Sequence, residues 1–307
     1  MGLKKDAAGK ILEVAADIVK NNAPKVFGML FPYAGLKKKA VEMRMEDIEK
    51  SNLPDDTKIS LILNMKKDLK RIKNQKAVAE IAFREAKVGT DFSEESGVDE
   101  EWFERYMDAA KFVSSEEMQL IWGKILAGEF EKPGSTPPNM IRVLSEITPE
   151  LAQAFQKICS MGVSVTELKE NNQVNEWGTI NIVPYFSNIE RLEKKGISFK
   201  ILNELDSLGI IKFSYEREFG SSFSFPKLLL FFDNEFEIVE EESLPIGNVM
   251  FTSVGNALFK IIEPVKIEGY HEMIKEYLLK KGVKFADIND YIIEEDEDGF
   301  TVTEKNK

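Results

Sequence analysis

Val113-Ser114-Ser115-Glu116-Glu117-Met118-Gln119-Leu120-Ile121-Trp122-Gly123-Lys124-Ile125-Leu126-Ala127-Gly128-Glu129 is the stretch on which the fold turns. Its apolar residues Met118, Ile121, Trp122, Ile125 and Leu126 recur at three- and four-residue steps, the spacing of one face of a helix. Ser114 and Glu117 have the spacing of a capping box, and Val113 with Met118 that of a hydrophobic staple. The helix is therefore expected to start at Ser114, with Trp122 in the core. Gly128 and then Pro133-Gly134 close it.

Working outward, Asp99 is placed to cap a preceding helix whose first turn holds Glu100 and Glu101. Trp102, Tyr106, Ala109 and Val113 share its expected inner face. Downstream, Pro137-Pro138 suits the first turn of a third helix. Thr148-Pro149-Glu150 opens a fourth, with Leu151, Ala154, Phe155 and Ile158 inward. Residues 97–161 thus read as a central helical module. Two of its polar residues, Gln119 and Glu129, are not accounted for by capping or amphipathicity and are the candidate functional positions. A metal site joining Glu129 to Glu116 and Glu117 is disfavoured, because helical rise separates them by about 18–20 Å.

Residues 1–90 form an expected helical arm. Ile11, Leu12, Val14, Ala15, Ile18 and Val19 mark a helix over 6–20, stopped at Asn21-Asn22-Ala23-Pro24. The apolar, aromatic run Val26–Gly35 lies between Lys25 and Lys37-Lys38-Lys39. It reads first as a hydrophobic linker on the body, and alternatively as a peripheral membrane contact through residues 24–39. A long helix is expected from Thr57 to Val88, about 32 residues or roughly 48 Å. Its seam of Ile62, Met65, Leu69, Ile72, Ala79, Phe83 and Ala86, interrupted by Lys76, suggests a hairpin or coiled coil. Leu69 and Phe83 are the candidate interaction residues on it. Gly89–Gly97 is the expected linker.

Charge divides the chain unevenly. Residues 1–90 hold 19 Lys/Arg against 12 Asp/Glu, and the remainder 22 against 41, within a total of −12. That field leaves the N-terminal arm as the plausible contact for nucleic acid. The 43% hydrophobic and 31% charged content is that of a folded chain rather than a disordered one. No run approaches the roughly 18 apolar residues of a spanning helix. Met1–Asp6 is basic without a following signal-type apolar core, and Asp6 stands where a myristoylation signal has Ser or Thr. The single Cys159 allows no internal disulfide and fits a reducing cytoplasm, with the inner-membrane periphery as the alternative location.

In the C-terminal part, residues 162–286, Ser164–Leu168 is read as opening a helix and Ile189–Lys195 as another. Ser198–Leu208 ends at Gly209 and enters a β-type run. Strands near Ile211–Tyr215, Lys227–Phe232 and Phe236–Val239 would complete a winged-helix-like α+β domain. Glu204 and Asp206 on its outward face would repel phosphate, so structural or protein-binding use is favoured over DNA reading. Thr252 caps a helix in which Gly255 suits close packing, and a last helix runs from Tyr270 to Lys281. Residues 287–307 read as an acidic tail, a solvated or flexible strand-and-tail open to an interaction role, with seven carboxylates between Asp287 and Asp298.

Chemistry is narrowed by what the chain lacks. His271 and Cys159 are single, which excludes a His/Cys zinc site, requires any Cys–His nucleophilic site to join those two residues, and leaves His271 as the histidine of any Ser–His site. There is no Walker A sequence and no dinucleotide fingerprint, and no cofactor is expected. Carboxylate-only metal chemistry remains open by composition.

The residues Glu100-Glu101-Trp102, Val113-Ser114, Gln119, Trp122, Ile125-Leu126-Ala127-Gly128-Glu129 and Pro133-Gly134-Ser135 resemble the core of a bacterial family catalogued only as a domain of unknown function. Arg71-Ile72-Lys73-Asn74-Gln75 followed by Ala79 is similar to the helix before that core. Where such proteins have Arg-Thr-Leu, this chain has Asn139-Met140-Ile141. The resemblance implies an accessory or mobile-element protein, with antiviral defence as one setting. The expectation is a mainly α protein with a smaller α+β part: helical arm, central module, winged-helix-like domain and tail. Its expected function is non-enzymatic interaction or assembly through a protein partner or self-association, and a winged-helix nucleic-acid-binding regulator is the alternative.

Overall fold

The computed structural model describes Met29 and residues 38–168, 174–222, 227–231, 236–239, 243–296 and 299–305. The expected helix over 6–20 and most of the 24–39 segment lie outside them. Met29, inside that segment, donates its backbone N–H to the Phe92 carbonyl at 2.7 Å, a contact with the body of the protein. The chain divides into two compact units, Met1–Ser145 and Glu146–Lys307.

The first unit is helical. Helix α1 (Lys38–Lys50) was not foreseen from the sequence; α2 spans Asp55–Glu85, against the expected 57–88. Asp55 and Asp56 lie in the first turn of α2, where carboxylates oppose the positive end of the helix dipole. Only Asn74, Val78, Ala79 and Ala82 of α2 are buried, all in its second half. There it crosses α4 (Glu116–Glu131) at Gly123. A Cβ on Gly123 would lie 2.2 Å from Ile81 Cγ2, so a residue without a side chain sets how closely the two helices approach. Helix α3 (Glu100–Ala110) is capped by Asp99, which accepts from Trp102 N at 2.7 Å.

Two local expectations are corrected here. The cap of α4 is Ser115, not Ser114: its hydroxyl accepts from Met118 N and its carbonyl from Gln119 N. Two adjacent serines offer the same chemistry, and the extended backbone falls on the second (φ −80°, ψ 141°). The expected Ser114–Glu117 box is thus displaced, with the cap oxygen supplied by Ser115. The inner face of α3 is turned by one residue, burying Phe103, Tyr106, Met107 and Ala110, while Trp102 is half-exposed and stacks on Tyr106 at 4.8 Å. Trp122 is fully buried, and the Tyr106 hydroxyl donates to its carbonyl at 2.8 Å. The short third helix, α5 (Met140–Glu146), starts two residues after Pro138.

The second unit is α+β. Helix α6 (Pro149–Cys159) opens it, capped by Thr148 as expected, and buries Leu151, Ala154, Phe155, Ile158 and Cys159. It clusters with this unit rather than with α2–α5. The expected helix at Ser164–Leu168 is instead strand β1 (Gly162–Leu168). Val163 and Val165 are buried, the two-residue alternation of a strand whose β-branched side chains fit a pleated surface. A four-stranded antiparallel sheet runs β2 (Val174–Asn181), β1, β5 (Lys227–Phe231), β6 (Phe236–Val239).

Helices α7 (Ile189–Lys194) and α8 (Phe199–Leu208) lie between β2 and β3 in the chain. Helix α8 ends, as read from the sequence, on Gly209 in the left-handed region (φ 81°). Of the expected wing strands, Lys227–Phe231 and Phe236–Val239 pair with each other as β5 and β6, but the strand at Ile211 does not join them. β3 (Ile211–Phe213) pairs with β8 (Val249–Phe251), and β4 (Phe219–Ser222) with β7 (Ser243–Gly247). β5 and β6 join β1. Helix α9 (Ser253–Phe259) carries Gly255, where a Cβ would meet the Ile210 carbonyl oxygen at 2.2 Å. Helix α10 (Tyr270–Lys280) is followed by the acidic segment, which forms a hairpin of two strands, β9 (Tyr291–Asp296) and β10 (Gly299–Glu304), where a strand and tail were expected. Tyr291 and Ile293 pack with Ala286 on the buried Ile238, which is what orders this acidic segment.

Candidate functional site

In the first unit, the turn after α4 folds back against the start of α3 and forms a groove of about 770 Å³. Trp102 and Arg105 of α3 line one part, and Pro133, Thr136 and Pro138 of the turn another. Ile141 and Arg142 come from α5. Asp99 and Glu129 are the carboxylates in the lining.

Glu129 holds this groove together. It is 4% exposed, and its Oε1 accepts from Gly134 N at 2.5 Å. Its Oε2 accepts from Thr136 N at 2.8 Å and from Ser135 Oγ at 3.5 Å. A buried carboxylate is tolerated when donors surround it, and bonds of this kind are the stronger ones. The Asp99 carboxylate is likewise used by the backbone, as the α3 cap. Both acids of the lining are thus engaged by main-chain N–H groups. Arg105 pairs with Glu101 at 3.6 Å, but both side chains are more than half exposed, so the pair is weak.

Gln119, the other unexplained residue of the sequence, donates from Nε2 to the Val113 carbonyl at 2.9 Å and ties the α3–α4 turn to α4. Asn74 and Gln75 act similarly between helices. Their amides donate to the Lys111 and Met107 carbonyls at 2.8 Å each, satisfying acceptors at the α3 C-terminus that the helix leaves open. Leu69 lies half-buried on α2. Phe83, also half-buried, sits 5.5 Å from Phe92, which in turn contacts Phe130 at 4.9 Å. Of the four sequence-derived positions, only Glu129 reaches the groove.

The second unit repeats the pattern of buried polar groups serving the backbone. Asn181 donates to Val249 O and accepts from Phe251 N, at 2.7 and 3.0 Å. Asn248 bridges Ser214 O and Phe186 N. His271 Nε2 lies 3.2 Å from Glu237 Oε1, which also takes Lys275 Nζ at 2.6 Å. Burial pushes the Cys159 thiol well above its ordinary range, the wrong direction for a nucleophile. Among the described residues no group of three His, Cys, Asp or Glu is placed to hold a metal ion. None of the described helices is long and apolar enough to cross a membrane. On α8, Lys200 pairs with Glu204 at 3.7 Å, and Lys212 with Asp206 at 3.5 Å, so the basic groups beside this helix face acids.

Nothing local in the sequence marks the groove, because Arg105 and Arg142 are 37 positions apart and come to one lining only in the folded unit. The recoverable signal was Glu129 itself, a carboxylate at an apolar helix end five residues before a Pro-Gly turn could use it. Neither the curated proteins nor the solved structures contain a match to the chain. A family model described as "Protein of unknown function (DUF2806)" matches residues 63–275, which include α3, α4 and every residue of the groove, and the chain belongs to that family.

Proposed function

We propose that the protein is a non-catalytic interaction protein whose helical unit takes an acidic, partly apolar segment of a partner protein into the Trp102 groove. The carrying observation is the division of labour in the lining. Asp99 and Glu129 are engaged by backbone donors, and Arg105 and Arg142 sit at the solvent-exposed part of the same lining, beside Trp102, Pro138 and Ile141. The planar guanidinium fork matches a carboxylate with two parallel hydrogen bonds. A volume near 770 Å³ is in the range of concave binding sites. An incoming carboxylate competes with Glu101 for Arg105 at little cost, since exposed ion pairs contribute about 0–1 kcal/mol.

The test is fluorescence anisotropy of the full chain with a labelled Asp-Glu-Leu-Asp-Glu-Leu peptide and a control in which each acid is Lys. Saturable binding of the acidic peptide is expected, weakened at least about tenfold by Arg105→Glu with Arg142→Glu. It should also weaken with salt, as exposed charges are screened within about 10 Å at 0.1 M. Equal binding of the basic peptide, or binding unchanged by the double variant, overturns the proposal.

A further inference from the structure

A second concavity, of about 490 Å³, lies in the α+β unit and is lined by Lys157, Lys194, Lys195 and Lys266 with Glu268 as its acid. Its charge runs against its surroundings: residues 146–307 carry 17 Lys/Arg and 29 Asp/Glu. Lysines near a helix C-terminus are favoured by the helix dipole, which accounts for Lys194 and Lys195 at the end of α7. Lys157 and Lys266 do not lie at that terminus. Lys157 comes from α6, and Lys266 from the segment before α10, so three separate parts of the chain contribute lysines to one hollow. Lys194 Nζ also pairs with Glu190 at 2.7 Å, an exposed pair that an incoming anion can displace at little cost.

Lys157 is also positioned. Its Nζ donates to the Lys195 carbonyl at 2.8 Å. Gly196, with φ +85°, turns the chain beside it, and a Cβ there would approach that Nζ to 3.1 Å. A side chain at Gly196 would be strained by the backbone and would crowd the ammonium.

We propose that this hollow binds a small phosphorylated ligand. Lysine offers a compact charge with donors in several directions, suited to a tetrahedral phosphoryl group, and no arginine fork is present for a planar carboxylate. A compact ligand gains from ammonium groups within the ~8 Å screening distance at physiological salt, while a long polyanion must also lie along the acidic remainder of the unit. The site is in the α+β unit and does not depend on the peptide groove.

The experiment is isothermal titration of the full chain with pyrophosphate, then ATP without magnesium, with duplex DNA as the extended arm. Saturable pyrophosphate binding is expected, weakened at least about tenfold by Lys194→Ala with Lys266→Ala, whose exposed side chains leave the fold intact. Lys157→Ala should weaken it as well, and circular dichroism separates that loss from unfolding. No saturable binding, binding unchanged in the double variant, or duplex binding tighter than pyrophosphate each overturns the proposal.

Discussion

Replacing Glu129 distinguishes a structural anchor from a reactive carboxylate. In Glu129→Ala, the Gly134 and Thr136 amides lose a charged acceptor at 2.5 and 2.8 Å. Hydrogen bonds to charged groups contribute about 1.5–3 kcal/mol each, and Gly134 is exposed enough for water to replace part of that. The expected cost is therefore about 3–4 kcal/mol, near the lower bound for two such bonds. Glu129→Gln keeps one acceptor oxygen but turns an amide N–H toward the second donor, for a cost of about 1.5–3 kcal/mol. At roughly 2–4 °C per kcal/mol for a unit of this size, Glu129→Ala should lower its melting midpoint by about 10 °C and Glu129→Gln by about half that. Near-ultraviolet circular dichroism reports the unit through Trp102 and Trp122. Amide hydrogen exchange across residues 132–138 should quicken in the same order, because those are the amides released. If both variants melt with the wild type and the turn stays protected, the anchor reasoning is wrong and the burial of Glu129 needs another cause.

Gly123→Ala places a Cβ 2.2 Å from Ile81 Cγ2 and 3.2 Å from Ala82 N, so helix α2 must move. A loss of about 1–3 kcal/mol in urea unfolding is expected, and no loss would show that α2 and α4 are not held at this distance. Tyr185 has its phenol pushed up to about 12 by burial and by the Glu193 carboxylate, to which it donates at 3.2 Å. Because the folded value is raised above the unfolded value near 10, its contribution is complete below pH 10 and is lost as pH climbs toward 12. Tyr185→Phe should flatten that part of the stability–pH curve, and an unchanged slope would count against the linkage.

What was legible in the sequence was local. Asp99 and Thr252 cap helices as read, and Thr148 and Ser198 cap the helices whose starts were read there, because a side-chain oxygen and an N–H three residues on belong to the same turn. The same rule misplaced the α4 cap by one residue, since Ser114 and Ser115 satisfy it equally and only the entering backbone decides. Strand β1 was read as a helix because its partners, at Val174–Asn181 and Lys227–Phe231, are remote in sequence. The wing failed for the same reason: Ile211–Phe213 finds its partner at Val249–Phe251, beyond the two strands expected to complete it. The groove was illegible because its arginines sit on α3 and α5 and its wall on a turn.

The polar residues that stand out in the sequence and those that face outward have separate duties, and this separation bears on function. Glu129, Gln119, Asn74, Asn181 and Asn248 are buried or half-buried and bonded to backbone groups. A buried donor or acceptor left unmatched costs about 1–3 kcal/mol, so substitutions at these positions act first on stability. Arg105, Arg142, Lys194 and Lys266 are exposed, and exposed charges contribute little to folding. A catalytic site would ordinarily mix the two classes, with a buried, perturbed group facing the ligand. In the Trp102 groove the buried carboxylate instead faces three donors of its own turn, and the charges open to a ligand are held on helix surfaces. That arrangement is what the proposed binding role rests on. It also requires that binding and stability respond to different sets of substitutions: Arg105→Glu with Arg142→Glu should change affinity at constant melting midpoint, and Gln119→Ala should do the reverse.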